Sequence, residues 1–268
     1  MTSQLSESSK YGYEKRDHAM KTPEPDNERD MSWRPWGFWA TAGLGLVVLL
    51  VYLLLSALTV VPLTIAFSGE SAASVTVETL ATNPNVIVAS TLVSAAIGTL
   101  LILLIAGRRK GSSWREYLSI YRPKLKELFI WLGITVATVA ILGLIGMLLD
   151  RPPVHELWSE LFKASAIVPL LILAVIAAPL FEESLFRGFL FPGWSQSKLG
   201  VTGTIILTAV FFTALHAQYD LFDLGQVLVL GILLGIARYR SGSLVVPIAM
   251  HALTNALAFA QMAYILGV

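Results

Sequence analysis

Six polar side chains stand out in the apolar C-terminal half of this chain because their types fit catalysis. They are Glu182, Glu183 and Arg187 in PLFEESLFRG, His216 in FFTALH, and His251 and Asn255 in HALTN. A carboxylate and an imidazole can together deprotonate water, while a second imidazole and an amide can donate hydrogen bonds to a developing oxyanion. The set therefore fits hydrolysis of a peptide bond.

The acidic pair lies in a segment apolar enough to cross a membrane, where an ionised carboxylate must pair, become protonated or face a wet cavity. On a helix, Glu183 and Arg187 are four residues apart on one face, so they can neutralise each other. Glu182 points about 100° away and has no cation nearby in sequence, which suits a general base. Pro179 is expected to interrupt the helix and to mark a polar cavity. In a competing interpretation, both acids only complement the positive end of a restarted helix.

The two histidines lie in later apolar segments. Phe212 and His216 are four residues apart, as are His251 and Asn255, so each pair shares one helical face. A single histidine in such a helix is more often packed against a carbonyl than catalytic. Three separate segments that each carry part of a hydrolytic site favour function, because every buried polar group raises the cost of membrane insertion.

The same side chains also fit a metal site. Glu182, His216 and His251 could hold zinc or another divalent metal with a position left open for water. The chain has no HExxH helix motif and no GxSxG nucleophile elbow. A metal-free glutamate mechanism and a metal mechanism both remain open at this point.

The composition is that of a membrane protein. The 268 residues are 55% hydrophobic and only 14% charged, and the mean hydropathy is +0.69, which is too apolar for a soluble domain of this length. The net charge of +1 argues against a nucleic-acid partner. With no cysteine, disulfides and thiolate ligands are excluded.

Long apolar runs predict an all-α, polytopic membrane helix bundle of about seven transmembrane helices, within a range of six to eight. The predicted spans are 38–62, 85–106, 127–149, 165–190, 200–217, 222–239 and 244–265. The amphipathic stretch 151–165 is expected to lie along the membrane surface, with His155 as an ordinary loop residue. Gly231 and Gly235 form a GxxxG pattern, which indicates close helix packing.

Charge placement predicts the orientation of the chain. Residues 1–35 have the composition of a disordered tail, with six Lys or Arg and seven Asp or Glu. The loop after the second span contains seven Lys or Arg, whereas residues 68–84 contain none. The positive-inside rule therefore places that loop and the N-terminal tail in the cytoplasm, and Arg238 and Arg240 agree. We expect the membrane to be the plasma membrane.

The order EExxxR, FxxxH and HxxxN resembles the CPBP family of intramembrane proteases, which includes the CAAX prenyl endopeptidases, the Abi proteins and bacteriocin-immunity relatives. The resemblance covers about residues 165–260. It implies a catalytic membrane domain at 165–268, preceded by N-terminal spans and loops at 36–164 and the tail at 1–35. The flanking FRGFLFP is also similar to the family.

The resemblance implies an endopeptidase acting on a peptide or membrane protein at the lipid bilayer. Glu182 with His216 would activate water, His251 with Asn255 would steady the oxyanion, and Glu183 with Arg187 would support the site. Two other functions compete with this one: a catalytically silent immunity or scaffold protein that binds a membrane partner, and a transporter or proton relay. Inverted repeats, which a transporter often shows, are not visible in the sequence.

The predicted spans leave one discrepancy in depth. At about 1.5 Å per residue, Glu182 lies some 12 Å from the end of its span at 190, while His216 lies about 24 Å beyond residue 200. A tilted helix, a shifted boundary or a break at Pro179 is expected to bring them together. Asp220 and Asp223 are expected to cap the next helix rather than to contact substrate.

Overall fold

The computed structural model describes residues 33–68, 83–152 and 156–267. The predicted tail at 1–35, the loop at 68–84 and His155 therefore lie wholly or largely outside the described residues. In the described ranges the secondary structure is helical and contains no strand, which confirms the all-α prediction. Six helices there are long and apolar enough to cross a membrane, so the chain is a multi-pass integral membrane protein.

Nine helices make up the described part of the chain. They are α1 (Phe38–Ser68), α2 (Pro84–Gly107), α3 (Trp114–Tyr117), α4 (Leu125–Leu148), α5 (Glu156–Ala164), α6 (Ile167–Ser195), α7 (Gly200–Ala214), α8 (Leu221–Ser241) and α9 (Val245–Leu266). The six long membrane helices are α1, α2, α4, α6, α8 and α9.

The remaining apolar helix, α7, is too short for a full crossing. Its 15 residues reach about 22 Å, whereas a bilayer core is about 30 Å thick. The span predicted at 200–217 is thus a partial crossing, and the number of full crossings is at the lower end of the predicted range of six to eight. His216 consequently lies in the turn that follows α7 rather than inside a helix.

Helix α6 is central to the bundle and contacts α1, α2, α7, α8 and α9. Its Phe181, Leu185, Phe186 and Phe189 are all buried. Outward-facing leucines of α1, in contrast, remain exposed on the surface that lipid would cover: Leu50, Leu53, Leu54 and Leu58. Since lipid tails are as apolar as leucine, such a surface is expected for a membrane bundle.

One end of the bundle gathers the segments that the charge pattern assigns to the cytoplasm. Arg109 Nε donates to the carbonyl of Arg34 at 2.6 Å, and Ser243 Oγ donates to the carbonyl of Tyr121 at 2.6 Å. This end therefore carries the residues just before α1, the basic loop after α2 and the turn between α8 and α9.

The other end is formed by α5 and by the turn between α7 and α8. Arg151 pairs with Asp220, and Trp158 of α5 donates its indole N–H to the hydroxyl of Tyr219. In α5, Phe162 is buried and Glu160 is exposed, which agrees with the predicted amphipathic segment. These contacts tie α5 to the turn that carries His216.

Helices α7 and α8 approach each other closely at the GxxxG pattern. A Cβ at Gly231 would lie 3.2 Å from the Cβ of Ala209, and one at Gly235 would lie 3.0 Å from Ile205. Both separations are tighter than ordinary van der Waals contact. The predicted role of the two glycines in helix packing is confirmed, and the close approach also brings the Gly231 carbonyl within reach of α6.

Candidate active site

Helix α6 is irregular around the acidic pair. Two π-helical segments, Leu173–Ala177 and Ser184–Leu190, flank the α-helical residues Ala178–Glu183. The predicted helix break at Pro179 is wrong, because the helical backbone continues through Pro179, directly after the wider hydrogen-bond spacing of the π-helical segment Leu173–Ala177. Such turns are frequent at functional sites.

Asn255 compensates for this irregularity. The N–H of Ala178 bonds to the carbonyl of Leu173, five residues back, and Pro179 has no N–H. Neither residue therefore bonds to the carbonyl of Ala174. Asn255 Nδ2 donates to that carbonyl at 2.8 Å from α9, so one of its two N–H groups supports the backbone of α6.

Glu183 and Arg187 form a completely buried ion pair. Arg187 Nη1 donates to Glu183 Oε1 at 3.0 Å, and both side chains are 0% exposed. Arg187 Nη2 donates to the carbonyl of Gly231 at 2.7 Å, and the guanidinium lies 4.9 Å from the ring centre of Phe212. The predicted neutralisation of this acid by Arg187 is confirmed, and the pair joins α6 to α8.

His251 of α9 faces both acids. Its Nδ1 lies 3.0 Å from Glu183 Oε1. Because a carboxylate paired with a guanidinium only accepts hydrogen bonds, Nδ1 must carry a proton. In neutral imidazole, Nε2 then has a lone pair and no proton. This nitrogen lies 3.9 Å from Glu182 Oε2, beyond hydrogen-bond distance.

Glu182 differs from its neighbour in exposure and in its partners. Its side chain is 20% exposed, whereas that of Glu183 is 0% exposed. Oε2 of Glu182 has no hydrogen-bond partner, and the carboxylate interacts electrostatically with both His216 and His251. A carboxylate that no guanidinium neutralises and whose side chain is partly exposed suits a general base.

His216 is oriented by its own chain. Its Nδ1 lies 2.8 Å from the carbonyl of Phe212. Since a carbonyl only accepts, Nδ1 carries a proton and neutral Nε2 keeps a free lone pair. The Phe212 ring packs at 4.8 Å from the His216 ring and at 5.5 Å from the His251 ring, so it contacts both imidazoles.

The expected boundary shift largely removes the discrepancy in depth. Helix α6 ends at Ser195 rather than at 190, so Glu182 lies about 20 Å along the axis from that end. His216 lies about 24 Å along the axis from Gly200, where α7 begins. The two side chains thus come to similar depths without a break at Pro179.

Three residues near the site were not predicted to belong to it. Arg238 is 6% exposed and donates to the carbonyl of Arg187 at 2.9 Å and to Ser119 Oγ at 2.6 Å. Tyr52 and Tyr219 both interact electrostatically with Glu182. The charge of Arg238 at the end of an apolar segment is a usable sequence signal, although the charge pattern alone assigns it only to orientation. Neither tyrosine has a spacing pattern that would have indicated it.

The donors suit a divalent metal by type. His216 and His251 each offer an imidazole Nε2, and Glu182 offers a carboxylate oxygen. Zinc accepts ligands of both types. Within residues 33–68, 83–152 and 156–267, however, no three His, Asp or Glu side chains are grouped closely enough to hold a metal ion.

The segment that carries the site is similar to a known protein family. Residues 164–257, which include all six predicted site residues, match the family model described as type II CAAX prenyl endopeptidase Rce1-like. The chain is also 31% identical over 123 residues to an Escherichia coli protein described as an uncharacterized 24.3 kDa protein. That alignment covers 45% of this chain and 56% of the relative, so the chain spans about half the length of the curated relative it matches. No solved structure matches the chain.

Proposed function

We propose that this chain is an intramembrane endopeptidase in which Glu182 and His216 activate water, because residues 164–257 match the family model described as type II CAAX prenyl endopeptidase Rce1-like. One observation supports this most strongly. Of the two adjacent acids, Glu183 is neutralised by Arg187 at 3.0 Å, while Glu182 lies with its Oε2 3.9 Å from His251 Nε2 and also interacts electrostatically with His216.

In the proposed first step, a water molecule lies between Glu182 and His216. The Glu182 carboxylate takes one water proton while the water oxygen forms a bond to the carbonyl carbon of the substrate, and the carbonyl electron pair moves to its oxygen. The unprotonated Nε2 of His216 accepts a hydrogen bond from the second O–H of the water and so orients the water molecule.

In the second step, the tetrahedral intermediate collapses. The electron pair on the oxyanion returns to form the carbonyl, the C–N bond breaks, and the proton held by Glu182 passes to the leaving amine. The products are a carboxylic acid and an amine, and Glu182 returns to its ionised form.

The remaining site residues support these steps. Glu183 and Arg187 fix the position of His251 through the 3.0 Å contact between Glu183 Oε1 and Nδ1. His251 and Asn255 are proposed to steady the oxyanion. His251 can donate from Nε2 only as imidazolium, and Asn255 has one N–H left after its bond to Ala174.

A metal-assisted mechanism is the alternative for the same reaction. Glu182, His216 and His251 would hold zinc or another divalent metal, which would supply Lewis-acid activation of the attacking water. Their donor types support this alternative, whereas their spacing favours the metal-free reaction.

The orientation and the substrate are also proposals. The end that carries Arg109 and the α8–α9 turn is proposed to face the cytoplasm, together with the N-terminus, and the membrane is proposed to be the plasma membrane. The substrate is proposed to be a peptide or a membrane-associated protein. The proposal of a prenylated cysteine in the substrate is supported by the description of the family alone.

The test uses the full chain in proteoliposomes with quenched-fluorescent peptides in pairs, one peptide with an S-farnesyl cysteine and its twin with a free thiol. Wild type is compared with Glu182→Gln and with Glu160→Gln, a matched change at an exposed acid of α5. We expect Glu182→Gln to abolish cleavage and Glu160→Gln to leave it unchanged. Equal turnover by Glu182→Gln and wild type would remove Glu182 from the mechanism.

The metal alternative is separated in the same experiment. Metal content of the purified protein is measured together with the effect of a chelator on cleavage. Full activity after chelation, in protein without bound metal, favours the glutamate mechanism. Loss of activity that returns with added zinc favours the metal mechanism.

A further inference from the structure

Both π-helical segments of α6 receive a hydrogen bond from another helix. In a π-helix a carbonyl accepts from the N–H five residues later, and a proline at that place has no N–H to donate. In the first segment Asn255 replaces the N–H that Pro179 lacks. In the second segment Pro192 stands five residues after Arg187, and Arg238 Nε of α8 donates to the carbonyl of Arg187 at 2.9 Å. Arg238 therefore supplies the hydrogen bond that the π spacing cannot.

We propose that Arg238 is a positioning residue for the active site. It fixes the backbone of α6 at Arg187, and the ion pair of Arg187 with Glu183 passes that constraint to the imidazole of His251. This inference rests on the proposed endopeptidase function. Arg238 transfers no proton in this role, so the bond changes and proton balance of the reaction stay as written above.

Three consecutive contacts lead from Arg238 to the histidine. The first is the bond from Arg238 Nε to the carbonyl of Arg187. In the second, Arg187 Nη1 donates to Glu183 Oε1 at 3.0 Å, and in the third, His251 Nδ1 lies 3.0 Å from the same oxygen. Arg238 is 6% exposed, and both members of the ion pair are completely buried. Because the side chains are packed in the interior, a shift at one contact is passed to the next.

The guanidinium of Arg238 is itself held by the loop between α3 and α4. Its Nη2 donates to Ser119 Oγ at 2.6 Å, and the group lies 5.5 Å from the ring centre of Phe191. Arg238 thus makes separate bonds to the loop and to α6, and the planar guanidinium fixes the angle between them.

Ser119 has an unusual backbone conformation at this contact. Its φ of 57° lies in the left-handed region, which residues other than glycine rarely adopt. The carbonyl of Ser119 accepts from the N–H of Leu244, just before α9, at 2.9 Å. Such strain persists only where the surrounding contacts determine the conformation. The backbone of the loop is therefore held so that the Ser119 hydroxyl meets Arg238.

Arg238→Met tests the inference, because it removes both hydrogen bonds and keeps an unbranched side chain. In the proteoliposome assay we expect kcat to fall by about 10²-fold, the loss that follows a misplacement of catalytic groups by about 1 Å, with KM changed little. Arg240→Met is the matched control, since Arg240 is exposed on the same helix, and we expect that variant to behave as wild type. A rise in KM at unchanged kcat would indicate that Arg238 binds substrate and would overturn the inference.

Two variants of Ser119 provide a second measurement if Arg238→Met does not give folded protein. Ser119→Gly and Ser119→Ala both remove the hydroxyl that orients Arg238, so we expect each to lose about tenfold in kcat, comparable to one net hydrogen bond. Glycine adopts a positive φ without strain and alanine does not, so Ser119→Gly should melt at a higher temperature than Ser119→Ala. Activity that followed the melting temperature rather than the hydroxyl would indicate a purely structural role and overturn the inference.

Nuclear magnetic resonance follows the position of His251 without any cleavage. The chain has four histidines, so protein with isotope-labelled histidine gives a simple spectrum, and His251→Gln identifies the Nδ1 signal of His251. Since Nδ1 donates to Glu183 Oε1, this signal reports the geometry of that hydrogen bond. We expect Arg238→Met to shift the signal and Arg240→Met to leave it in place.

The outcomes separate this inference from the proposed function. A wild-type kcat or an unchanged His251 signal in Arg238→Met, together with an inactive Glu182→Gln, would overturn the role of Arg238 and leave the endopeptidase. An active Glu182→Gln would contradict the proposed glutamate mechanism. The His251 signal would then still decide whether Arg238 positions the histidine.

Discussion

Replacement of Arg187 by methionine is expected to destabilise the protein far more than a change at the proposed catalytic acid. Arg187 and Glu183 are 0% exposed and 3.0 Å apart, and Arg187 also donates to Gly231. The substitution leaves the Glu183 carboxylate buried with no cation. Removing one partner of a buried ion pair costs about 3–5 kcal/mol, mainly because the remaining charge is not compensated.

The double variant Glu183→Gln with Arg187→Met isolates that cause. Both charges are then absent, and the remaining loss is the hydrogen bond to the Gly231 carbonyl, worth about 1–3 kcal/mol when a buried acceptor is left unsatisfied. The double variant is therefore expected to be more stable than Arg187→Met alone. The double variant should not cleave peptide, because His251 loses the ionised partner of its Nδ1.

Thermal unfolding in detergent, followed by the amount of monodisperse protein after heating, measures the effect. For a chain of this size about 2–4 °C corresponds to 1 kcal/mol, so Arg187→Met is expected to lower the midpoint by about 6–20 °C. Glu182→Gln, at a side chain without a hydrogen-bond partner on Oε2, should shift it little. If the double variant is as unstable as Arg187→Met, removal of the Glu183 charge gives no relief, and the explanation from a buried unpaired charge is refuted.

Two further predictions concern the elements that hold the site. Gly231→Ala places a methyl group 3.2 Å from Ala209, so the substitution is expected to cost about 1–3 kcal/mol by overpacking. Gly225 lies on the same helix, and no atom is within 4 Å of a Cβ added there. Gly225→Ala should therefore be neutral or stabilise the protein by up to about 1 kcal/mol. Equal melting temperatures for the two alanine variants would contradict the close approach of α7 and α8. Asp220→Asn keeps the N-cap and loses the half-exposed ion pair with Arg151, a loss of about 0–1 kcal/mol. Asp220→Ala loses the cap as well and should cost about 1 kcal/mol more, which the difference between the two melting curves checks.

Several features of this protein follow from local pattern alone. Apolar runs longer than a bilayer core predicted the long helices, because a spanning segment must satisfy its backbone hydrogen bonds within itself. The spacing of Glu183 and Arg187 predicted their ion pair, since residues four apart on a helix are neighbours whatever surrounds them. Asp220 was predicted as a helix cap for the same local reason, and the cap is confirmed.

Other features depend on neighbours from distant parts of the chain. Pro179 does not break α6. The π-turn leaves the carbonyl of Ala174 without a hydrogen bond from the next turn of the helix, and Asn255 of α9 donates to that carbonyl instead. No rule of sequence spacing includes such long-range partners.

The residues themselves determined which chemistry is available: an acid left without a local cation, a neighbour that has one, and two imidazoles and an amide in later helices. Only the tertiary structure decided how they divide the work. Hydrogen bonds to Glu183 and to the Phe212 carbonyl set which nitrogen of each imidazole carries the proton, and α5 brings Trp158 to Tyr219. The physical reason is that residue type and spacing set the donors and acceptors, whereas burial and direction, which make a donor or a base effective, arise only where separate helices meet.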